Sequence, residues 1–248
     1  MLEEAFEGYT VVNLGTAVNY GIRPLLSILE ARCKKGDVVL FSPEYREEMY
    51  GEPSTAMTSW QFLESNYDIL RDIDLRKNGN LLSTYVSYLQ SKRRFLSSGT
   101  KKYNSIVYSR ASFDLRGDLI AHRQTGLKSF ESHLPDPGIL HEKGLACLRE
   151  GLTRLREKGV RCLYSFPLLA DPGGLSKAEI RQAEESFLHA LLPGVGAEEG
   201  NLTVISEMEN SIAPVSDFYD SMYHATLSGA KRRTERLIRD LTPYLSDE

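Results

Sequence analysis

Two residues near the end of the chain have the types and spacing of a general base. His224 lies just before a helix-forming segment, and Asp220 precedes it by four residues on the same loop. A carboxylate beside an imidazole selects one ring tautomer and stabilises the charged ring, so the pair could accept a proton from a hydroxyl. Such pairs also occur by chance, and Asp220 could instead close an Asx turn. Which interpretation holds depends on where the predicted strands and helices place the pair.

Strand and helix patterns alternate along the chain. Short, continuous runs of apolar and β-branched residues predict buried strands at 10–14, 37–41, 105–108, 160–166 and 202–205. Helical spacing of apolar residues predicts helices over 22–33, over 55–97 with a break at 78–80, and over 230–241. Two more helices are predicted, one that contains Leu145 and Leu155 and stops at Gly159, and one that begins at the capping box of Ser176 and Glu179. Continuous apolar strands favour a parallel sheet covered on both faces. We therefore expect one three-layer αβα domain over 1–248.

Composition and charge exclude several classes of protein. The 248 residues carry a net charge of −4, whereas a nucleic-acid-binding protein needs a basic face. The short basic clusters 92–94, 101–102 and 231–233 are expected to be solvated helix surface. Three scattered cysteines lack the spacing of a metal site and are expected to be buried free thiols. No cofactor is expected, because the phosphate-binding glycine motifs do not occur.

Ligands of a parallel sheet bind beyond the carboxyl ends of its strands, which here selects loops 15–21, 42–53, 109–122, 167–175 and 206–224. Asp220 and His224 lie in the last of these loops. Ser42 and Ser165 also lie near strand ends, but neither has the Gly-x-Ser-x-Gly or Gly-Asp-Ser context that exposes a nucleophile, so structural roles are predicted. Glu44, at the end of a predicted strand, either lines a pocket or, as we favour, pairs with an arginine.

The order of short motifs along nearly the whole chain resembles the SGNH/GDSL hydrolases. The motifs are Asn13-Leu14-Gly15 with Gly21, then 35–40 and Pro43-Glu44-Tyr45, and finally the block from Phe218 to His224 with its following helix. The C-terminal block is the most specific part. The chain is most similar to a bacterial, poorly characterised subgroup whose members are often membrane-anchored.

Membership of that family would imply a flavodoxin-like sheet and ester hydrolysis or acyl transfer through a serine nucleophile. By this resemblance His224 is the general base and Asp220 its partner. The commoner family spacing puts the aspartate three residues before the histidine, where this chain has Ser221. The family's oxyanion loop corresponds to the segment containing Gly15, Asn19 and Gly21, with a backbone N–H or the Asn19 amide as the donor.

Two other family motifs have no counterpart in these residues. The Gly-Asp-Ser block would sit at the end of a strand before residue 1, and the Gly-x-Asn-Asp block is replaced by Ser42-Pro43-Glu44-Tyr45. The resemblance thus predicts a sheet without its first, central strand and a nucleophile upstream of residue 1. Residues 1–248 alone are therefore expected to be inactive. Free sheet edges would then invite self-association.

The sequence therefore favours the Asp–His part of a serine esterase or acyl-ester hydrolase that acts on a small-molecule or carbohydrate ester. The alternative is a non-catalytic protein of the same fold that serves as a binding module. No apolar run reaches the roughly 18 residues of a membrane span. As written the chain is expected in the cytoplasm, or in an extracytoplasmic, membrane-anchored location if an upstream anchor was lost.

Overall fold

The structure, a computed structural model, describes residues 1–15, 18, 21–50, 60, 63, 79–97, 115 and 130–245. Within these ranges are seven α-helices and five short strands. The helices are α1 (Leu2–Ala5), α2 (Ile22–Arg32), α3 (Glu47–Tyr50), α4 (Gly79–Ser97), α5 (Glu142–Glu157), α6 (Lys177–Val195) and α7 (Leu227–Leu245). The strands are β1 (Val38–Phe41), β2 (Arg161–Tyr164), β3 (Leu169–Ala170), β4 (Thr203–Val204) and β5 (Ile212–Ala213). Single 3-10 turns lie at Pro137–Ile139, Ala197–Glu199, Glu209–Ser211 and Val215–Asp217.

The main sheet is parallel and has the strand order β1-β2-β4. Val38 is paired with Arg161 and Leu163 with Thr203, which sets the register of both ladders. A second, two-stranded parallel sheet joins β3 to β5. In the described part of the chain no strand pairs with the other edge of β1. The predicted self-association through free edges stays a prediction.

Helices cover both faces of the main sheet, as the continuous apolar strands predicted. On one face Val39, Phe41 and Tyr164 lie in a core that they share with buried residues of α2, α5 and α6. On the other face Leu163 packs with Phe6 and Leu241, which brings α7 and the chain after α1 against the sheet. The fold is therefore mixed α/β with a small parallel sheet, compatible with a three-layer αβα arrangement.

Local signals account for the ends of the main helices. Ser176 caps α6: its side chain accepts a hydrogen bond from the Glu179 amide, and the Glu179 carboxylate accepts one from the Ser176 amide. Gly196 ends the same helix with φ of 70°, a left-handed conformation that glycine adopts without steric cost. The predicted capping box is confirmed, and α6 holds Phe187 and Leu191 in the core.

The predicted first strand, 10–14, is wrong. Tyr9 to Gly15 form no strand, and the Val12 side chain is 63% exposed. The Val11 amide donates to the Glu3 carboxylate at 2.8 Å instead of to a neighbouring strand. A β-branched run becomes a strand only where another strand supplies hydrogen-bond partners, and the described residues supply none here. The strands predicted at 37–41, 160–166 and 202–205 are confirmed, with slightly shorter bounds.

Several expectations fall partly or wholly on residues outside the described ranges. The strand at 105–108 and nearly all of the helix before residue 78 lie there, whereas the later helical piece is confirmed as α4. The three cysteines are free thiols, with Cys162 buried and Cys33 and Cys147 half-buried. Among the described residues no helix is both long enough and apolar enough to cross a bilayer.

Candidate functional site

A narrow loop before α7 carries the candidate catalytic pair. Phe218 and Ala225 form an antiparallel bridge, and the Tyr219 amide donates to the His224 carbonyl at 3.0 Å. The Ser221 hydroxyl accepts from the His224 amide at 3.2 Å. These bonds close residues 219–224 into a compact turn, so the relative positions of Asp220 and His224 are held by backbone geometry.

Asp220 and His224 meet within this turn. The Asp220 Oδ1 lies 2.7 Å from His224 Nδ1, and the two side chains are 28% and 34% exposed. The Tyr219 ring stacks against the imidazole, with ring centroids 5.6 Å apart and planes inclined by 23°. A carboxylate on Nδ1 favours the tautomer that carries the proton there and leaves Nε2 as the basic nitrogen. Nε2 makes no hydrogen bond to any described residue, so the pair has the arrangement of an oriented general base.

The start of α7 anchors the turn to the fold. The Thr226 hydroxyl donates to the Asp217 carbonyl at 3.1 Å and accepts from the Gly229 amide at 3.3 Å. The buried Asp217 carboxylate pairs with Arg232 at 2.5 Å. Gly229 packs so closely that a Cβ there would lie 3.0 Å from the Asp217 Cβ and closer still to the Asp217 carbonyl oxygen. The absence of a side chain at 229 therefore permits this approach of loop and helix.

Glu44 is close enough to His224 for their charges to interact, although 180 residues of chain separate the two in the sequence. Burial raises the pKa of the Glu44 carboxyl, and the positive charges of His224 and Arg46 oppose that rise. A hydrogen bond from the core fixes the loop that holds Glu44: the buried Tyr50 hydroxyl donates to the Pro43 carbonyl at 3.4 Å. His224 thus stands near the loop at the carboxyl end of β1, where a ligand of a parallel sheet is expected.

Tyr223 and Tyr45 line the same region. Burial raises the pKa of the Tyr223 phenol, and the nearby Glu44 carboxylate raises it further. The Tyr45 and Tyr223 rings meet edge to face, with centroids 6.3 Å apart. Burial raises the pKa of the Tyr45 phenol as well. Both phenols therefore stay protonated at neutral pH, and either hydroxyl could donate to a bound oxygen atom.

Arg233 is a member of the site that sequence reasoning missed. Its Nη2 donates to the Ser165 hydroxyl at 2.8 Å, to the Phe166 carbonyl at 2.6 Å and to the Ser42 hydroxyl at 3.2 Å. Burial lowers the pKa of its guanidinium to about 10. The expectation that 231–233 is solvated surface is therefore wrong for Arg233. Its place on α7 was detectable, because it follows Ala230 by three residues and precedes Leu237 by four on the inward face.

The two strand-end serines have the structural roles that were predicted. Ser165 donates to the Ser206 hydroxyl at 3.0 Å and accepts from Arg233, while Ser42 accepts from the same guanidinium. Neither hydroxyl is hydrogen-bonded to His224. Arg233 and the two serines tie the carboxyl ends of β1 and β2 to α7.

The predicted oxyanion loop is described only in part, and Asn19 lies outside the described residues. The Gly15 amide donates to the Asn13 side chain at 2.8 Å, and the Gly21 amide donates to the Val18 carbonyl at 3.0 Å. Both amides are therefore engaged in local turns. A role for this segment as an oxyanion donor stays a prediction.

The part of the chain that the structure describes holds no group of three histidine, cysteine or acidic side chains placed to bind a metal ion. Comparisons with family models, with curated proteins and with solved structures find no significant match to this chain. The candidate site is therefore interpreted from its own geometry.

Proposed function

We propose that Asp220 and His224 form the general base of an acyl-ester hydrolase or acyltransferase site at the carboxyl edge of the main sheet. The 2.7 Å contact between Asp220 and Nδ1, with Nε2 left without a described partner, carries this proposal. A base in this orientation accelerates proton transfer by roughly 10²–10⁴-fold. The electrostatic interaction of Glu44 with His224 supports a ligand position between the loop after β1 and the turn of residues 219–224.

In the proposed reaction His224 Nε2 removes the proton of a hydroxyl as its oxygen attacks the acyl carbon. The ester C–O bond then breaks, and the imidazolium returns the proton to the departing alkoxide oxygen. Water, deprotonated by the same nitrogen, releases the acid in a second, equivalent step. Asp220 remains a carboxylate throughout and stabilises the imidazolium. The substrate class is a small-molecule or carbohydrate ester, and the attacking hydroxyl comes from outside the described residues.

The flavodoxin-like arrangement belongs to the same proposal. The parallel order β1-β2-β4, with helices against both faces, supports it. In such a sheet a further strand beside β1 would end close to Glu44 and His224. That position would bring a nucleophilic hydroxyl to the base.

A non-catalytic binding module is the second candidate. The engagement of both Ser42 and Ser165 by Arg233 favours it, because neither serine is then presented to His224. In that case Asp220 and His224 would serve to hold the loop and to bind a polar ligand.

Hydrolysis of p-nitrophenyl acetate separates the two candidates. Free imidazoles hydrolyse this ester slowly, so His189→Ala, which removes an exposed histidine of α6, is the matched control for His224→Ala. We expect His224→Ala to lower turnover at least 100-fold and Asp220→Asn to lower it strongly, with His189→Ala unchanged. The assay is done on a form of the protein that also supplies the nucleophilic hydroxyl. Turnover that is absent in that form, or equal in it and in its His224→Ala variant, would reject catalysis and leave the binding module.

A further inference from the structure

Helix α4 presents an apolar stripe to solvent. Leu82, Tyr85, Val86, Leu89 and Leu96 are between 40% and 70% exposed. At about 100° of rotation per residue, these five side chains lie within an arc of about 100° on the helix surface. Scattered exposed leucines are ordinary, but a continuous stripe along one helix marks an interaction surface.

The opposite flank of α4 attaches the helix to the fold. Tyr88 is buried and stacks on Trp60, with ring centroids 6.0 Å apart. Ile28 and Ala31 of α2 pack against the same small cluster. Tyr88 projects roughly 110° away from the centre of the stripe, given the helical rotation per residue. The Tyr85 ring, at the edge of the stripe, also packs against Trp60, with ring centroids 4.6 Å apart. The rest of the stripe faces away from the described part of its own domain.

Positive charge accompanies the stripe. Lys92, Arg93 and Arg94 lie in the last turns of α4, and the helix has no acidic residue. The whole sequence segment 75–113 lacks aspartate and glutamate and has eight basic residues, in a chain whose net charge is −4. Lys92 lies over the Tyr88 ring, with its Nζ 5.9 Å from the ring centroid. Both the charge and the apolar side chains are thus concentrated on one helix.

We propose that α4 is a peripheral binding surface for a lipid bilayer that contains anionic headgroups. A helix that lies in the interface inserts its apolar stripe beside the acyl chains and places its basic residues at the headgroups. Arg93 projects near the centre of the stripe, and its long aliphatic stem lets the guanidinium reach the headgroup level. This inference is independent of the reaction at His224.

Other occupants fit the helix less well. Two copies that met through this stripe would bring six like charges of Lys92, Arg93 and Arg94 together, which opposes association. A nucleic acid would use the charge but would leave the apolar stripe exposed. An anionic bilayer uses both features at once.

Vesicle co-sedimentation tests the proposal. The full chain is mixed with vesicles of phosphatidylcholine alone or of phosphatidylcholine with about one quarter phosphatidylglycerol, at low and high salt. We expect binding to the anionic vesicles only, and weaker binding as salt increases. The double variant Val86→Glu/Leu89→Glu should bind at least 100-fold more weakly, because it removes apolar burial and adds negative charge.

Two further variants make the test specific. Leu227→Glu makes the same chemical change at an exposed leucine of α7, and binding should be unchanged. Arg93→Gln/Arg94→Gln should weaken binding about 30-fold, since each basic residue at an anionic surface contributes about fivefold. Equal binding by the Val86→Glu/Leu89→Glu variant, or no binding to either vesicle, would overturn the proposal. So would a dimer in light scattering that this variant alone abolishes, because the stripe would then join two copies.

Discussion

Substitution of Gly229 by alanine tests whether the packing of α7 against the catalytic loop is as close as described. In an exposed helix this change stabilises by about 1 kcal/mol, because alanine has the higher helix propensity. At position 229 the new Cβ would lie 3.0 Å from the Asp217 Cβ and closer still to the Asp217 carbonyl oxygen. The obstructing atom belongs to the backbone and cannot rotate away. Relief therefore requires the helix and the loop to move apart.

The expected change in the free energy of unfolding is the sum of opposing contributions. Overpacking costs about 1–3 kcal/mol. Displacement of the Asp217 carbonyl would also weaken the hydrogen bonds that it accepts from the Thr226 hydroxyl and amide, at about 1 kcal/mol each. After subtraction of the propensity gain, Gly229→Ala should lower the free energy of unfolding by about 2–4 kcal/mol. For a chain of this size each kcal/mol shifts the melting temperature by roughly 2–4 °C.

The matched control is Gly151→Ala in α5, a second buried helical glycine. Its added Cβ would meet the Leu26 side chain, with both methyls at 2.9 Å and the Cγ at 3.2 Å, and a side chain can shift where a backbone carbonyl cannot. We expect this variant to stay within about 1 kcal/mol of the wild type in urea denaturation. If Gly229→Ala is as stable as Gly151→Ala, the described approach of α7 to Asp217 is wrong. If it is destabilised but keeps full esterase turnover, the loop does not depend on that contact.

Two other substitutions test the strand-end environment. Arg233→Met should lower the free energy of unfolding by about 1–3 kcal/mol, because the buried Ser165 hydroxyl loses a donor and the Phe166 carbonyl keeps only the one from Ser211. Lys231→Met, at an exposed position of the same helix, should change it little. Equal effects of the two would contradict the bridging role of Arg233. Glu44→Gln should become progressively more stable than the wild type as pH rises from the ordinary glutamate pKa through the raised folded-state pKa of Glu44. The raised pKa favours folding while the carboxyl is protonated, and this contribution is lost as the carboxyl ionises. A stability difference that is independent of pH would show that Glu44 is not in a desolvated position.

The parts of the fold that the sequence predicted are those with strong local signals. Val38–Phe41 is a continuous apolar run and forms β1, and Ser176 with Glu179 caps α6. The Asp220–His224 contact was also accessible, because its partners lie four residues apart on one loop. Each of these features depends on residues close together in the chain.

The remaining features depend on contacts between distant segments. Residues 10–14 have the same apolar pattern as β1, but a strand needs a neighbour, and a local pattern does not specify one. Arg233 looked like one more exposed base in a basic cluster until α7 was placed against the ends of β1 and β2. The same holds for Glu44, whose nearness to His224 depends on how the sheet and the last loop assemble.

The pairing of β1 with β2 has a consequence for synthesis of the chain. Because Val38 pairs with Arg161, β1 leaves the ribosome long before its neighbour exists. At about 5–20 residues per second, the interval is roughly 6–25 s. During that time the sequence Val-Val-Leu-Phe is an apolar strand without a partner, which favours association with other nascent chains. Expression at a lower temperature, or together with chaperones, should therefore raise the soluble yield of this protein more than that of a protein built from local contacts.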